Sequence, residues 1–257
     1  MGGSAAPVVS LLFEEAVRPD ALAIHELAVR SSEFTVSHDP LEDDGGKGGG
    51  KDGGNAGGNW LELLANGLTF DLKGLAPGSA GPPERHSNLF DLPARFNPFR
   101  FSAVTLTPGP HLLDGAAMMP VVRSQMWLTA QLARLPGLRA IGWLPARALS
   151  GPGHFRRSIG RWLEGGAFPG IGLTALLTVP DGGMQSEGLA FFTGQELRIE
   201  PELTADGPRA ARIALRLIHE LVERGPVEAP ESIIGPAGEA LRLDPSPNGR
   251  FVRVRIA

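Results

Sequence analysis

The sequence predicts an α+β fold, with mixed or antiparallel sheets packed against about four main helices. Three observations carry this reading. Short β-rich runs are scattered irregularly among amphipathic helical stretches, hairpin signals cluster late in the chain, and two terminal segments, Ala240-Leu241-Arg242-Leu243 and Phe251-Val252-Arg253-Val254-Arg255-Ile256, alternate strongly. A doubly wound parallel sheet would instead repeat strand and helix in turn.

In chain order, Val8-Val9-Ser10-Leu11-Leu12-Phe13 reads as a buried opening strand, and an apolar-periodic helix follows from Pro19 to about Arg30. Residues 42–59 are dominated by Asp, Gly, Lys and Asn and read as a flexible Gly-rich insertion in one compact unit spanning 1–257. Trp60 to Leu72 fits a strand pair or a short helix, and 74–97 is irregular, with four prolines. Phe101 to Leu106 is a strand. A helix led by Pro120 runs to Leu135, with Val122, Met126, Ala130 and Ala133 along one face.

Leu138 to Leu144 reads as the next strand, and Pro152 to Glu164 as a helix that turns Phe155, Ile159, Trp162 and Leu163 inward while Arg156, Arg157 and Arg161 lie elsewhere. Gly172 to Val179 then reads as a strand whose partner returns through Leu189-Ala190-Phe191-Phe192, after the turn Pro180-Asp181-Gly182-Gly183. Glu196 to Glu200 is a short strand. The clearest helix is Pro208 to Arg224, expected to bury Ala211, Leu215, Ile218 and Val222 and to end at Gly225-Pro226. The alternating termini form a closing hairpin with one wet face, and its edge could serve a homo-oligomer.

The chain has 257 residues, 42% of them apolar, and can bury a substantial core. It has no cysteine, which excludes disulfides, thiolate metal sites and cysteine nucleophiles. No segment approaches eighteen uninterrupted apolar residues and the start lacks a signal-peptide pattern, so a cytoplasmic protein without membrane contact is expected. Arginine outnumbers lysine twenty-one to three, which reads as codon bias in a GC-rich genome.

Against a net charge of -4, the forty-nine residues from Gly115 to Leu163 carry seven arginines and no acid. Arg123, Arg134 and Arg139 belong to a helix and its exit. The candidate ligand-binding site therefore contracts to Arg147, His154, Arg156, Arg157 and Arg161, around the turn Ser150-Gly151-Pro152-Gly153 at a helix start. Guanidinium stays charged at any ordinary pH and grips oxyanions with two parallel bonds, and a helix start offers free N–H groups. The competing account is that these arginines pair with acids from distant segments.

Other motifs fail on context. Gly45 to Lys51 imitates a phosphate loop, but Asp52 replaces the hydroxyl residue and neither strand nor helix flanks it. Gly170-Ile171-Gly172 enters a strand and so is no dinucleotide fingerprint. His25-Glu26 and His219-Glu220 lack a second histidine four residues on, so no metal and no cofactor is expected. Glu187, Glu196 and Glu200 have no spacing that makes a catalytic pair, and no nucleophile elbow occurs.

Trp143-Leu144-Pro145-Ala146-Arg147, Trp162-Leu163-Glu164-Gly165-Gly166-Ala167-Phe168-Pro169 and Glu187-Gly188-Leu189-Ala190-Phe191-Phe192-Thr193-Gly194-Gln195-Glu196-Leu197 together resemble the bacterial domain-of-unknown-function family 4261. The helix after them and Gly235-Pro236-Ala237-Gly238-Glu239 follow the family's order, so the likeness covers about residues 100–257, and the Gly/Lys insertion departs from it. The resemblance implies a shared α+β domain and transfers no activity, substrate or catalytic residue.

The function expected from the residues is therefore a non-catalytic binding or interaction protein that meets an anionic small molecule or an acidic protein surface. The alternative is a hydrolase whose polar residues, His154 among them, converge only in space. Nucleic acid is disfavoured by the negative net charge and by the lack of an aromatic-basic module.

Overall fold

The structure, a computed structural model, describes residues 8–40 and 60–257. The insertion at 42–59 and the phosphate-loop imitation within it lie outside the described residues.

Among the described residues, two mixed sheets carry the chain. The first has eight strands: β1 (Val9–Phe13), β2 (Thr35–His38), β3 (Trp60–Ala65), β4 (Leu68–Lys73), β5 (Asn88–Phe90), β6 (Ser102–Pro108), β7 (Leu138–Trp143) and β8 (Ala148–Ser150), in the order β2-β3-β4-β6-β1-β7-β8-β5. Every pair is antiparallel except β5 with β8. The second has six: β9 (Ala175–Thr178), β10 (Met184–Glu187), β11 (Glu196–Ile199), β12 (Glu231–Ile234), β13 (Ala240–Pro245) and β14 (Phe251–Ile256), in the order β12-β13-β14-β11-β10-β9. Its one parallel pair is β11 with β14.

The described helices are α1 (Ala21–Ser31), α2 (Met119–Leu132), α3 (Pro152–Leu163), the single turns α4 (Gly170–Leu173) and α5 (Leu189–Thr193), and α6 (Gly207–Arg224). Among the described residues none is long and apolar enough to cross a membrane. Asp20 starts α1 by accepting the Ala23 N–H at 2.9 Å, and Asp206 does the same for Arg209 at 3.0 Å on α6.

Alternation sets the faces of the first sheet. Leu11, Leu63, Phe70, Leu72, Val104 and Ile141 turn to the helix side and join Ile24 of α1, Met126 of α2 and Phe155 and Ile159 of α3. On the opposite face Leu12, Ala103, Ala140 and Leu149 form a small satellite core under Leu89, Leu92, Phe96 and Phe101. Between these layers β1 is buried on both sides, which is why its sequence runs apolar almost throughout. In the second sheet Leu197, Ile199, Leu243, Val252 and Val254 pack with α6, while Arg198, Arg242, Arg253 and Arg255 occupy the wet face and are ion-paired there with Asp181, Glu200 and Asp244.

Four sequence expectations are corrected. Leu189 to Phe192 is the helical turn α5 and not a strand; the return strand is Met184–Glu187. Gly188 and Gly194 bracket that turn at φ 95° and 79°, a backbone region hostile to other residues, and a side chain on Gly188 would strike Ala146 at 2.8 Å. Gly170–Leu173 is likewise a turn preceding β9. The buried stripe of α6 is Ala210, Ile213, Ala214, Leu217, Ile218 and Leu221, so that only Ile218 of the expected set is fully inside. Finally, the closing hairpin is interior: β14 pairs with β13 and β11, leaving β12 and β9 at the edges.

A histidine on the outer face of the first sheet makes the fold pH-sensitive. His86 directs Nδ1 to the Glu84 carbonyl at 2.7 Å, and its Nε2 is buried without a hydrogen-bond partner among the described residues, 2.5 Å from where a side chain on Gly142 would begin. Burial of the ring holds the imidazolium below its ordinary value of about 6.5, against the pull of the Glu84 carbonyl and carboxylate. The unfolded chain therefore takes up this proton first, so stability is full above the ordinary value and declines as pH falls through the lowered one. The dependence of urea midpoints on pH between about 7 and 5 should become shallower in His86→Leu; an unchanged slope would assign the acid sensitivity to other groups.

Candidate functional site

The arginines singled out in the sequence sit around the β7–β8 turn and along α3. Arg147 closes a helical turn at Leu144–Ala146 in the left-handed region, at φ 43°. Its Nε donates to Glu187 Oε1 at 2.5 Å, and Glu187 Oε2 accepts from Asn88 Nδ2 at 2.7 Å. The same Asn88 amide reaches the Ala146 carbonyl at 2.8 Å. Asn88 lies on β5 of the first sheet, Ala146 and Arg147 on the turn that joins its strands β7 and β8, and Glu187 on β10 of the second, so this cluster clips the two sheets together.

Further along, α3 starts at Pro152, with Gly151 as its cap residue and no side chain satisfying its first turn. Of the four residues expected inward, Phe155, Ile159 and Trp162 are buried and Leu163 only partly so, while Arg156, Arg157 and Arg161 are exposed. Arg157 reaches Asp91 at 3.6 Å between two well-exposed side chains, a separation at which an ion pair contributes little. Among the described residues neither Arg156 nor Arg161 has a carboxylate within 4.0 Å. Gly160 lies on this helix with nothing within 4 Å of the position a side chain would take.

His154 is half-buried against Phe90, ring centroids 6.3 Å apart, with Nε2 3.5 Å from Ser158 Oγ. Both line a small cavity of about 10 Å³ with Ser150 and Gly172, room for one water at most. No carboxylate orients the imidazole among the described residues, so the base and orienter of a nucleophilic triad do not assemble here. The three glutamates noted in the sequence go to separate tasks. Glu187 joins the sheet clip, and Glu200 lies 3.7 and 3.6 Å from the Nε atoms of Arg198 and Arg253.

Glu196 accepts from Ser186 Oγ and from the N–H groups of Gly188, Leu189 and Ala190 at 2.9–3.2 Å. Its burial raises the carboxyl's pKa, and those four donors oppose the rise. No group of three or more potential metal ligands occurs among the described residues.

The structure thus brings His154, Arg156, Arg157 and Arg161 onto one helix and gives Arg147 to Glu187. Sequence reasoning missed Asp91, Asn88 and the pairing of Glu187 with Arg147 and Asn88, links that span up to ninety-nine residues and leave no local signal. Comparison with protein-family models, curated proteins and solved structures finds no match to this chain.

Proposed function

We propose that this chain is a non-catalytic binding protein that docks an acidic protein surface on the solvent face of α3, through Arg156, Arg157 and Arg161. The observation that carries the reading is a run of exposed guanidinium groups on one helix, with the Asp91 carboxylate, 3.6 Å from Arg157, the only one within 4.0 Å of them among the described residues.

The shape favours a protein surface over a small anion. A small-molecule site encloses most of its ligand, whereas the cavity at His154 is about 10 Å³. The open groove of about 510 Å³ beside Arg161 takes none of the other arginines and has Glu164 in its wall, which repels an anion. On a protein surface, by contrast, carboxylates can meet all three guanidinium groups at once, and the bare backbone at Gly160 allows close approach.

Poly-L-glutamate tests this with a defined acidic chain. The wild type should bind it in a salt-sensitive manner, and Arg156→Glu with Arg157→Glu and Arg161→Glu should weaken binding at least about tenfold. Thermal unfolding should barely move, because all three side chains face solvent. Equal affinity in the two proteins would sink the assignment.

A further inference from the structure

A second concavity lies on the outer face of the first sheet, away from α3. Its floor crosses three neighbouring strands: Trp60 on β3 faces Lys73 on β4, which faces Thr105 on β6. Its wall is the segment from Gly74 to Gly81, and the open groove between wall and floor measures about 500 Å³, a volume usual for small-molecule sites. We propose that this groove binds a neutral saccharide, with its apolar ring face on Trp60 and its hydroxyls on Asp71, Lys73 and Thr105.

The wall is built before any ligand arrives. Arg18, almost wholly buried, donates to the carbonyls of Gly74 at 2.7 Å and Gly78 at 2.5 Å, and the Ala76 N–H reaches the Pro19 carbonyl at 2.9 Å. Gly74 itself sits at φ 88°, where a side chain would meet the Ala103 carbonyl at 2.7 Å, so the backbone lies directly on the sheet. A preformed wall lowers the ordering cost of binding.

The chemistry of the floor selects the ligand class. Asp71 is 8% exposed, and its one partner among the described residues is Lys73 Nζ at 2.8 Å. A carboxylate has about four acceptor positions and an ammonium three donors, so most of this pair's capacity remains for a ligand. Because the pair is neutral, a charged ligand would have to compete with one of its members. A polyhydroxylated ring needs no such exchange: each hydroxyl both donates and accepts, matching Asp71, Lys73 and the hydroxyls of Thr105 and Ser79. Trp60, tilted at 50° to His38 with centroids 5.2 Å apart, adds a broad amphipathic plate for the C–H face of the ring. Trp60 to Thr105 spans two strand spacings, roughly 10 Å, about the length of a disaccharide.

Calorimetric titration of the full chain with cellobiose, maltose, lactose and N,N′-diacetylchitobiose tests the proposal, with adenosine and inorganic phosphate as the competing classes. At least one disaccharide should bind saturably, and Trp60→Ala and Asp71→Asn should each weaken it roughly tenfold or more. The triple α3 variant should bind it as the wild type does, so failure of the docking reading and failure of this one are separable. Should Asp71→Asn not fold, Lys73→Met and Trp60→Ala decide the matter. The proposal is overturned by silence from all four sugars, by sugar binding indifferent to the groove variants, or by adenosine or phosphate binding in the groove in place of sugars.

Discussion

Trp143→Ala is expected to lower the unfolding free energy by about 3–5 kcal/mol, the range for removing a buried aromatic side chain. The indole is 2% exposed at the end of β7, and its Nε1 donates to the Leu173 carbonyl at 3.1 Å. It meets Phe191 edge-on at 5.4 Å, the first contact of a chain in which Phe191 tilts on Phe192, Phe192 on Phe168 and Phe168 on Trp162 at 5.0, 5.0 and 5.6 Å. These rings come from β7, α5, the segment before α4, and α3, so they fill the seam between the first sheet and the elements leading into the second. Truncation therefore opens a cavity where two layers meet and strands a buried carbonyl, two penalties that add. Trp143→Phe keeps most of the volume and should lose about half as much or less. Urea unfolding would show a shifted midpoint at constant slope. A loss below roughly 1.5 kcal/mol for Trp143→Ala would mean that the seam is held by its backbone contacts instead.

That seam also marks where sequence reasoning succeeds and stops. On α3 the buried residues Phe155, Ile159 and Trp162 are legible because Leu163 is the only other large apolar residue of the helix, leaving one possible apolar stripe. On α6, Ala210-Ala211-Arg212-Ile213-Ala214-Leu215 offers two apolar stripes about one residue apart, and only the second sheet decides between them. Leu189 to Phe192 is an apolar run too short for periodicity to assign, and two glycines in left-handed conformation with the Glu196 carboxylate fold it into a turn.

The candidate site divides in the same way. The three arginines of α3 are local and were legible, whereas the pairing of Arg147 with Glu187 depends on how two sheets meet. The groove was hidden for a related reason. Its floor residues are neighbours only through strand registers joining residues 60, 73 and 105, and nothing in a linear pattern aligns them.

Arg18→Met is expected to cost about 2–4 kcal/mol, because it removes charge-assisted donors from two carbonyls that no other side chain reaches among the described residues. The side chain is 3% exposed, and its salt bridge to Glu15 at 2.7 Å, with Glu15 itself 65% exposed, contributes the smaller share. Methionine replaces the aliphatic stem nearly in volume, so the loss reports the hydrogen bonds more than a cavity. Arg18→Lys should fall in between, since an ammonium cannot present the planar fork that reaches the Gly74 and Gly78 carbonyls together with Glu15. The consequence is local before it is global. The Ala76 N–H, held by the Pro19 carbonyl at 2.9 Å, should exchange faster in Arg18→Met than amides of β1, because the segment from Gly74 to Gly81 loses its anchor while the sheet beneath keeps its ladder. If Ala76 and the β1 amides instead lose protection in equal measure, the segment is part of the cooperative core and its order does not depend on Arg18 alone. Sugar affinity should fall with the Ala76 protection even though Trp60, Asp71 and Lys73 are intact, since a wall that must be ordered on binding draws its cost from the binding free energy.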